Sequence, residues 1–143
     1  MVPGFENASG IWVENTFTLK YFDPNWWNPG QNFEIIRYAD ILLMYAEVTG
    51  DAQYLNMVRD RVGLPALGTA GYPSELYSTL ERAIEHERRM ELGMEMHRFF
   101  DLVRTGRAVE VMQPKVGKDV KILFPIPLYA IDVNPGLTQN PGY

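Results

Sequence analysis

Glu87-Arg88-Arg89-Met90-Glu91-Leu92-Gly93-Met94-Glu95-Met96-His97-Arg98-Phe99-Phe100-Asp101-Leu102-Val103-Arg104-Thr105-Gly106 is the stretch whose reading decides the fold. On a helix, Glu87, Glu91, Glu95 (or Met94), Arg98 and Asp101 or Leu102 fall on one stripe, with Ile84 just upstream. Charged side chains then share a face with apolar ones, whereas an ordinary amphipathic helix separates the two. Carboxylates and guanidinia placed in this way are tolerable when they are buried against each other and hydrogen-bonded. The pattern predicts that Glu87, Glu91, Arg98 and Asp101 are largely buried and paired, with Arg37, Arg59, Arg88 or Arg104 as partners. The competing reading is a solvated helix with incidental i,i+4 pairs.

Working outward, the chain has the composition of an acidic, folded module. Its 143 residues carry 13 Lys+Arg against 18 Asp+Glu, a net charge of −5. That balance disfavours nucleic acid, whose phosphate backbone rewards clustered positive charge. With no cysteine, neither a disulfide framework nor thiolate metal ligation is available. The densest apolar run, Ile41-Leu42-Leu43-Met44-Tyr45-Ala46, falls far short of the ~20 residues of a membrane span. Met1-Val2-Pro3-Gly4 does not open a signal peptide.

Four ordered motifs resemble the C-terminal part of the SusD/RagB family, glycan-capturing outer-membrane lipoproteins that sit on TonB-dependent transporters. The first is Glu-Arg-Arg-x-Glu-Leu at Glu87–Leu92, continued by Glu95-x-His97-Arg98-Phe99-Phe100-Asp101-Leu102-x-Arg104-Thr105-Gly106. The second is Arg37-Tyr38-Ala39-Asp40-Ile41-Leu42-Leu43-Met44-Tyr45-Ala46-Glu47, and the third Leu55-Asn56-Met57-Val58-Arg59-Asp60-Arg61-Val62-Gly63-Leu64. Leu123-Phe124-Pro125-Ile126-Pro127, Asn134-Pro135 and Gln139-Asn140-Pro141-Gly142-Tyr143 complete the set. Together they span about residues 34–143. The resemblance adds Arg37, Asp40 and Glu47 to the expected structural ion-pair network of Glu87, Arg88, Glu91, Arg98, Asp101 and Arg104. Because a lipoprotein needs a cysteine for its lipid, it also implies a piece of a longer protein, with the N-terminal half and the anchor outside this chain.

The expected fold is mainly α: an irregular assembly of three to four helices with an extended, proline-punctuated C-terminal tail. Residues 1–33 form an aromatic-rich, turn-rich lead-in, in which Ile11–Val13 and Phe17–Phe22 are candidates for short extended segments. Residues 34–112 form the helical core and 113–143 the tail, all within one domain. The spacing predicts helices near 34–48, 51–62 and 75–104. Asp51 and Ser74 stand as N-caps, Glu75 as a first-turn acid, and Gly63-Leu64-Pro65 as a glycine-terminated helix end. Two departures from the family fall together: Gly93 where alanine is common, and Met96 where glycine is common. Methionine does not suit a positive φ, so a kink is expected at Gly93, or a helix running through Met96. Val120–Phe124 reads as a candidate strand, and Pro125 and Pro127 keep the tail from being helical. The segment Val48–Tyr54 is shorter than the insert usual in the family, which predicts a tight hairpin between the first two helices.

Catalytic constellations fail on inspection. His86-Glu87-Arg88-Arg89-Met90 begins like a zinc-protease helix, but Met90 stands where the second ligand belongs. His86 and His97 lie about three turns apart on an unbroken helix, too far to share a metal. No metal and no cofactor is expected. Asp40, Glu47, Glu87 and Glu91 supply carboxylates for glycoside hydrolysis, yet arginine pairing lowers a carboxyl pKa and spoils a general acid. There is no phosphate loop and no nucleophile elbow.

Sugars are held by aromatic faces against their C–H surfaces and by amides at their hydroxyls. Trp26 and Trp27, flanked by Pro24 and Pro29 with Asn25, Asn28, Gln31 and Asn32 nearby, are the ligand-binding candidates. Packing is the commoner fate of such aromatics, and Trp12, Phe17, Trp26 and Trp27 are expected to be drawn into the core. No binding residue of the family carries over to a position here. The resemblance implies a non-catalytic, glycan-binding component of outer-membrane polysaccharide uptake, surface-exposed as a lipoprotein. Its partners would be a SusC-like TonB-dependent transporter, an oligosaccharide and the N-terminal part of the same protein. This chain would be the structural C-terminal part. The alternatives are a free-standing helical interaction module and an acid/base glycosidase.

Overall fold

Helices dominate the computed structural model, which describes residues 4–6, 9–14, 20–25, 27–117 and 119–143. Contacts divide the chain into two units, residues 1–95 and 96–143.

In the first unit, β1 (Gly4–Glu6) pairs antiparallel with β2 (Trp12–Glu14), Phe5 opposite Val13. Extended structure at Trp12–Val13 matches the sequence expectation. Of the second candidate segment, Phe17–Leu19 lies outside the described residues, and Lys20-Tyr21-Phe22 is not a strand. Three helices follow: α1 (Tyr38–Thr49), α2 (Ala52–Asp60) and α3 (Leu80–Glu91). Gly50, at φ 70°, ends α1, and its N–H donates to Ala46 O at 3.0 Å. Asp51 then caps α2, accepting from Gln53 N at 2.8 Å. This is the tight hairpin read from Val48–Tyr54. At the far end of α2, Gly63 N donates to Asp60 O at 3.0 Å and Leu64 N to Arg59 O at 3.1 Å. That pair of bonds is a Schellman motif with glycine in the left-handed position.

The core of this unit lies where the three helices meet. Leu43, Ala46 and Leu55 are fully buried, with Val58, Ala83 and Ile84 packed beside them. Burying a leucine or valine side chain completely is worth about 1.5–3 kcal/mol. Polar α3 is held here by its few apolar residues and, as shown below, by its charges.

Several boundaries differ from the sequence expectation. α1 begins at Tyr38 rather than near residue 34, because Arg37 is extended (φ −117°, ψ 158°). α3 begins at Leu80 and not after Ser74. Pro73 O accepts from Leu76 N and Tyr77 N in a single turn, and the chain becomes extended again at Thr79. Thr79 is the true cap, accepting from Arg82 N at 3.4 Å.

The largest correction concerns residues 92–97, where the expected helix is interrupted. Met94 (φ 67°) and Met96 (φ 66°) are both left-handed, the conformation methionine was expected to refuse. Gly93 avoids the left-handed region; a Cβ there would meet Arg89 O at 3.2 Å. Left-handed backbone costs an L-residue roughly 1–2 kcal/mol. The two turns point Met94 and Met96 outward and Glu95 inward, where it is 5% exposed.

The second unit contains α4 (Arg98–Arg104), α5 (Ala108–Val116) and α6 (Leu128–Val133). Another Schellman ending joins the first two: Gly106 N bonds Val103 O at 3.1 Å and Arg107 N bonds Leu102 O at 2.8 Å. The tail is therefore not extended throughout. Pro114 sits inside α5, and Pro127 is the N-cap of α6, a place where a missing N–H costs nothing. Val120–Phe124 is not a strand. The Leu123–Ile126 backbone is instead satisfied by side chains. Gln139 bonds both Ile126 N (2.7 Å) and Ile126 O (2.9 Å), Asn140 donates to Phe124 O (2.7 Å), and Tyr143 to Leu123 O (3.0 Å).

Candidate functional site

Two layers of charge organise the first unit. The deeper layer is two ion pairs. Arg59 of α2 donates to Glu87 Oε2 at 2.5 Å, and Arg88 of α3 donates to Asp40 Oδ1 of α1 at 2.7 Å. All four residues are buried. Glu87 and Arg88 are adjacent and so project about 100° apart on α3, one toward each neighbouring helix. Arg59 is further fixed by donating to Pro65 O at 2.6 Å and by lying over the Tyr72 ring, 4.8 Å from its centroid.

The outer layer gathers at the C-terminal end of α3. Arg37 reaches Glu95 Oε2 (2.8 Å) and Glu91 Oε1 (3.0 Å), and also donates to the Glu91 carbonyl (2.9 Å). Lys20 donates to Glu95 Oε1 (2.6 Å) and to the carbonyls of Glu91 (2.6 Å) and Gly93 (2.9 Å). Arg61 grips both Glu91 oxygens, at 2.9 and 2.7 Å. Cations thus cover the free carbonyls where the helix dipole is negative. Burial alone would raise the Glu95 carboxyl, but hydrogen bonds from Arg37 and Lys20 outweigh it and hold the group below the usual carboxylate range. The same hydrogen bond to Glu95 raises the Arg37 guanidinium.

Of the residues expected in one network, the structure brings together Arg37 with Glu91, Asp40 with Arg88, and Glu87 with Arg59. Glu47 lies on the exposed side of α1. Arg98, Asp101 and Arg104 belong to the second unit, where Arg104 Nε meets Asp101 Oδ1 at 3.1 Å and Arg98 is half-buried. The stripe is therefore not one helical face, because α3 ends at Glu91. Lys20 and Arg61 escaped the sequence reading; neither lies on the stripe, and Lys20 sits in a segment with no periodicity. Glu95 was visible on the stripe, but its inward turn depends on two left-handed methionines that no local pattern announces.

Two clefts open beside the outer layer. One, of about 610 Å³, is mainly apolar, lined by Ile36, Tyr38, Leu42, Met57 and Val58 together with Glu34, Arg37 and Arg61. The other, of about 340 Å³, is polar: Gln31, Asn32, Glu34 and Tyr21 face it together with the Lys20, Arg37, Arg61, Glu91 and Glu95 cluster. Tyr21 is itself left-handed (φ 60°), and its ring stacks on Phe33 with centroids 4.9 Å apart.

Trp26 lies outside the described residues. Trp27 is 81% exposed and Trp12 55%, so neither is drawn into the core, which corrects that expectation. Phe17 also lies outside the described residues. Asp23 shapes the loop carrying Trp27 by accepting from Asn25 N (2.7 Å) and Gly30 N (2.8 Å). Asp40, Glu87 and Glu91, three of the four carboxylates considered for glycoside hydrolysis, are each held by arginine. The His86 ring stacks on Tyr77, centroids 3.9 Å apart. Among the described residues no three His, Asp or Glu side chains group as a metal site, and no helix is long and apolar enough to cross a membrane.

The family model described as "SusD family" matches residues 4–122. Among curated proteins of Formosa agariphila, SusD-like protein P38 is 36% identical over 124 residues, covering 78% of this chain and 25% of the relative. SusD-like protein P25 is 32% identical over 143 residues, covering 81% of this chain and 26% of the relative. SusD-like protein P2 is 28% identical over 167 residues, covering 97% and 32%. The chain thus spans about a quarter to a third of the length of these relatives. No solved structure matches it.

Proposed function

The chain belongs to the SusD family, and from that premise we propose that it is the structural C-terminal part of a non-catalytic glycan-binding component of outer-membrane polysaccharide uptake. The observation that carries this reading is the family match across residues 4–122. The parent protein, held at the cell surface as a lipoprotein, captures oligosaccharides and passes them to a SusC-like TonB-dependent transporter.

The chemistry of the charged layers supports binding rather than catalysis. A general acid needs a raised pKa, and an arginine partner acts in the opposite direction. Glu95, the buried carboxylate nearest the polar cleft, is held below the ordinary range. No cofactor enters this reading.

A second observation favours an intramolecular partner. Tyr38, Ile41, Tyr45 and Val48, spaced i, i+3, i+7 and i+10 on α1, are 70%, 45%, 50% and 85% exposed. A stripe at that spacing fits another helix. In this reading its occupant is the N-terminal part of the same protein, since the relatives are three to four times as long as the part aligned. The functional test is co-isolation: full-length protein solubilised from polysaccharide-grown cells is expected to carry a TonB-dependent transporter with it. Recovery of the protein without any transporter, under detergents that keep such complexes intact, would contradict the reading.

A further inference from the structure

We propose that the polar cleft beside the C-terminal end of α3 is itself a saccharide subsite, specific for short neutral sugars. This rests on the glycan-binding reading above and goes beyond it, placing a sugar contact on this chain rather than on the parent protein's other parts.

Three observations carry the proposal. First, the cleft supplies unspent hydrogen-bonding groups. The Gln31 and Asn32 amides and the Glu34 carboxylate face it, and among the described residues their side chains carry no hydrogen bond or ion pair. Amides offer donors and an acceptor from one group, and the carboxylate offers only acceptors, a combination that matches vicinal hydroxyls. Second, an aromatic wall is held in place. Tyr21 faces the cleft in a left-handed conformation and is braced by stacking on Phe33. Sparsely populated backbone of this kind concentrates at ligand clamps. Tyr21 brings a phenol, a neutral donor at ordinary pH, and desolvation shifts it further in that direction.

Third, charge decides the ligand class. Lys20, Arg37 and Arg61 face the cleft, as do Glu34, Glu91 and Glu95, so the lining is balanced. Every one of those cations is already paired with Glu91 or Glu95. An anionic sugar would have to break those pairs, whereas a neutral one uses only the groups left over. A volume of about 340 Å³ is at the small end of ligand sites, ~300–1,000 Å³. It suits a short saccharide rather than an extended polymer.

The test is an amide-resolved NMR titration of the chain with cellobiose, maltose, xylobiose and mannobiose, with digalacturonate as the charged comparison. At least one neutral disaccharide is expected to shift the amides of Lys20–Tyr21, Gln31–Glu34 and Met90–Glu95. The Gln31→Ala/Asn32→Ala double variant, whose exposed side chains leave the core untouched, is expected to weaken that binding at least fivefold. Gln53→Ala, an exposed change on α2 outside the cleft lining, is expected to leave it unchanged. Tighter binding of digalacturonate than of every neutral disaccharide would overturn the proposal, as would shifts confined to the Trp27 loop. If the full-length protein binds oligosaccharides while the cleft amides stay still, the subsite falls and the glycan-binding reading stands. If the full-length protein binds none, both fall.

Discussion

Arg59 shows how one side chain carries structure across three segments. It pairs with Glu87, donates to Pro65 O and lies over Tyr72. Truncating it strands a buried carboxylate, the costly half of a buried ion pair. Arg59→Ala and Arg88→Ala are each expected to cost about 3–5 kcal/mol in chemical denaturation. Arg61→Ala, removing a guanidinium that is 58% exposed, should cost less than about 1 kcal/mol. Equal losses at all three positions would contradict the two-layer description. The methionines around Glu95 give a prediction of opposite sign. Met96→Gly relieves left-handed strain of about 1–2 kcal/mol against about 0.4–1 kcal/mol of added unfolded-chain entropy. A modest rise in melting temperature is expected, and a fall would mean that the exposed methionine contributes more than its backbone costs. His86 sets a pH dependence. Burial holds its imidazole below the unperturbed 6.5, so the folded state prefers the neutral ring and the unfolded state binds the extra proton. Stability from this group is complete above about 6.5 and declines as pH falls through the folded value. Unfolding curves between pH 7.5 and 5.5 should show that slope, and His86→Phe, which preserves an aromatic stack on Tyr77, should flatten it.

At the scale of elements, legibility followed locality. The Asp51 cap and the Gly63 termination were readable because each is decided by two or three adjacent residues. Gly63→Ala, at φ 70° with open space around its Cβ, is accordingly expected to cost about 1 kcal/mol through backbone strain alone. Ser74 has the sequence of a cap for α3, but the turn at Pro73 closes after Tyr77 and Thr79 takes the role. The interruption at 92–97 was hidden for a different reason. Its left-handed methionines are paid for by Glu95 meeting Arg37 and Lys20, residues 58 and 75 positions away. In the tail, Pro125 and Pro127 read as helix breakers, yet Pro127 suits the N-terminal edge of α6. The polar cleft was only half visible: Gln31 and Asn32 stood out as amides near the tryptophans, while Tyr21, Lys20 and Arg61 gave no signal.

For the molecule as a whole, exposed apolar surface and paired charge point to the same division of labour. Tyr38, Ile41, Tyr45 and Val48 form a stripe of a kind that soluble monomers seldom leave open. The isolated chain is therefore expected to self-associate in sedimentation experiments, and Ile41→Glu/Val48→Glu should restore a monomer. An isolated, unsubstituted chain that stays monomeric at high micromolar concentration would remove the case for a helix on that face. Asp40, Glu87 and Glu91, three of the four carboxylates considered for hydrolysis, are tied to arginines, in keeping with the proposed role of capture without turnover. Calorimetric titration of the full-length protein with neutral oligosaccharides, followed by a reducing-end assay on the same sample, tests it most directly. The account predicts saturable binding with no new reducing ends; oligosaccharide cleavage by the protein, or no binding to any neutral glycan, would contradict it.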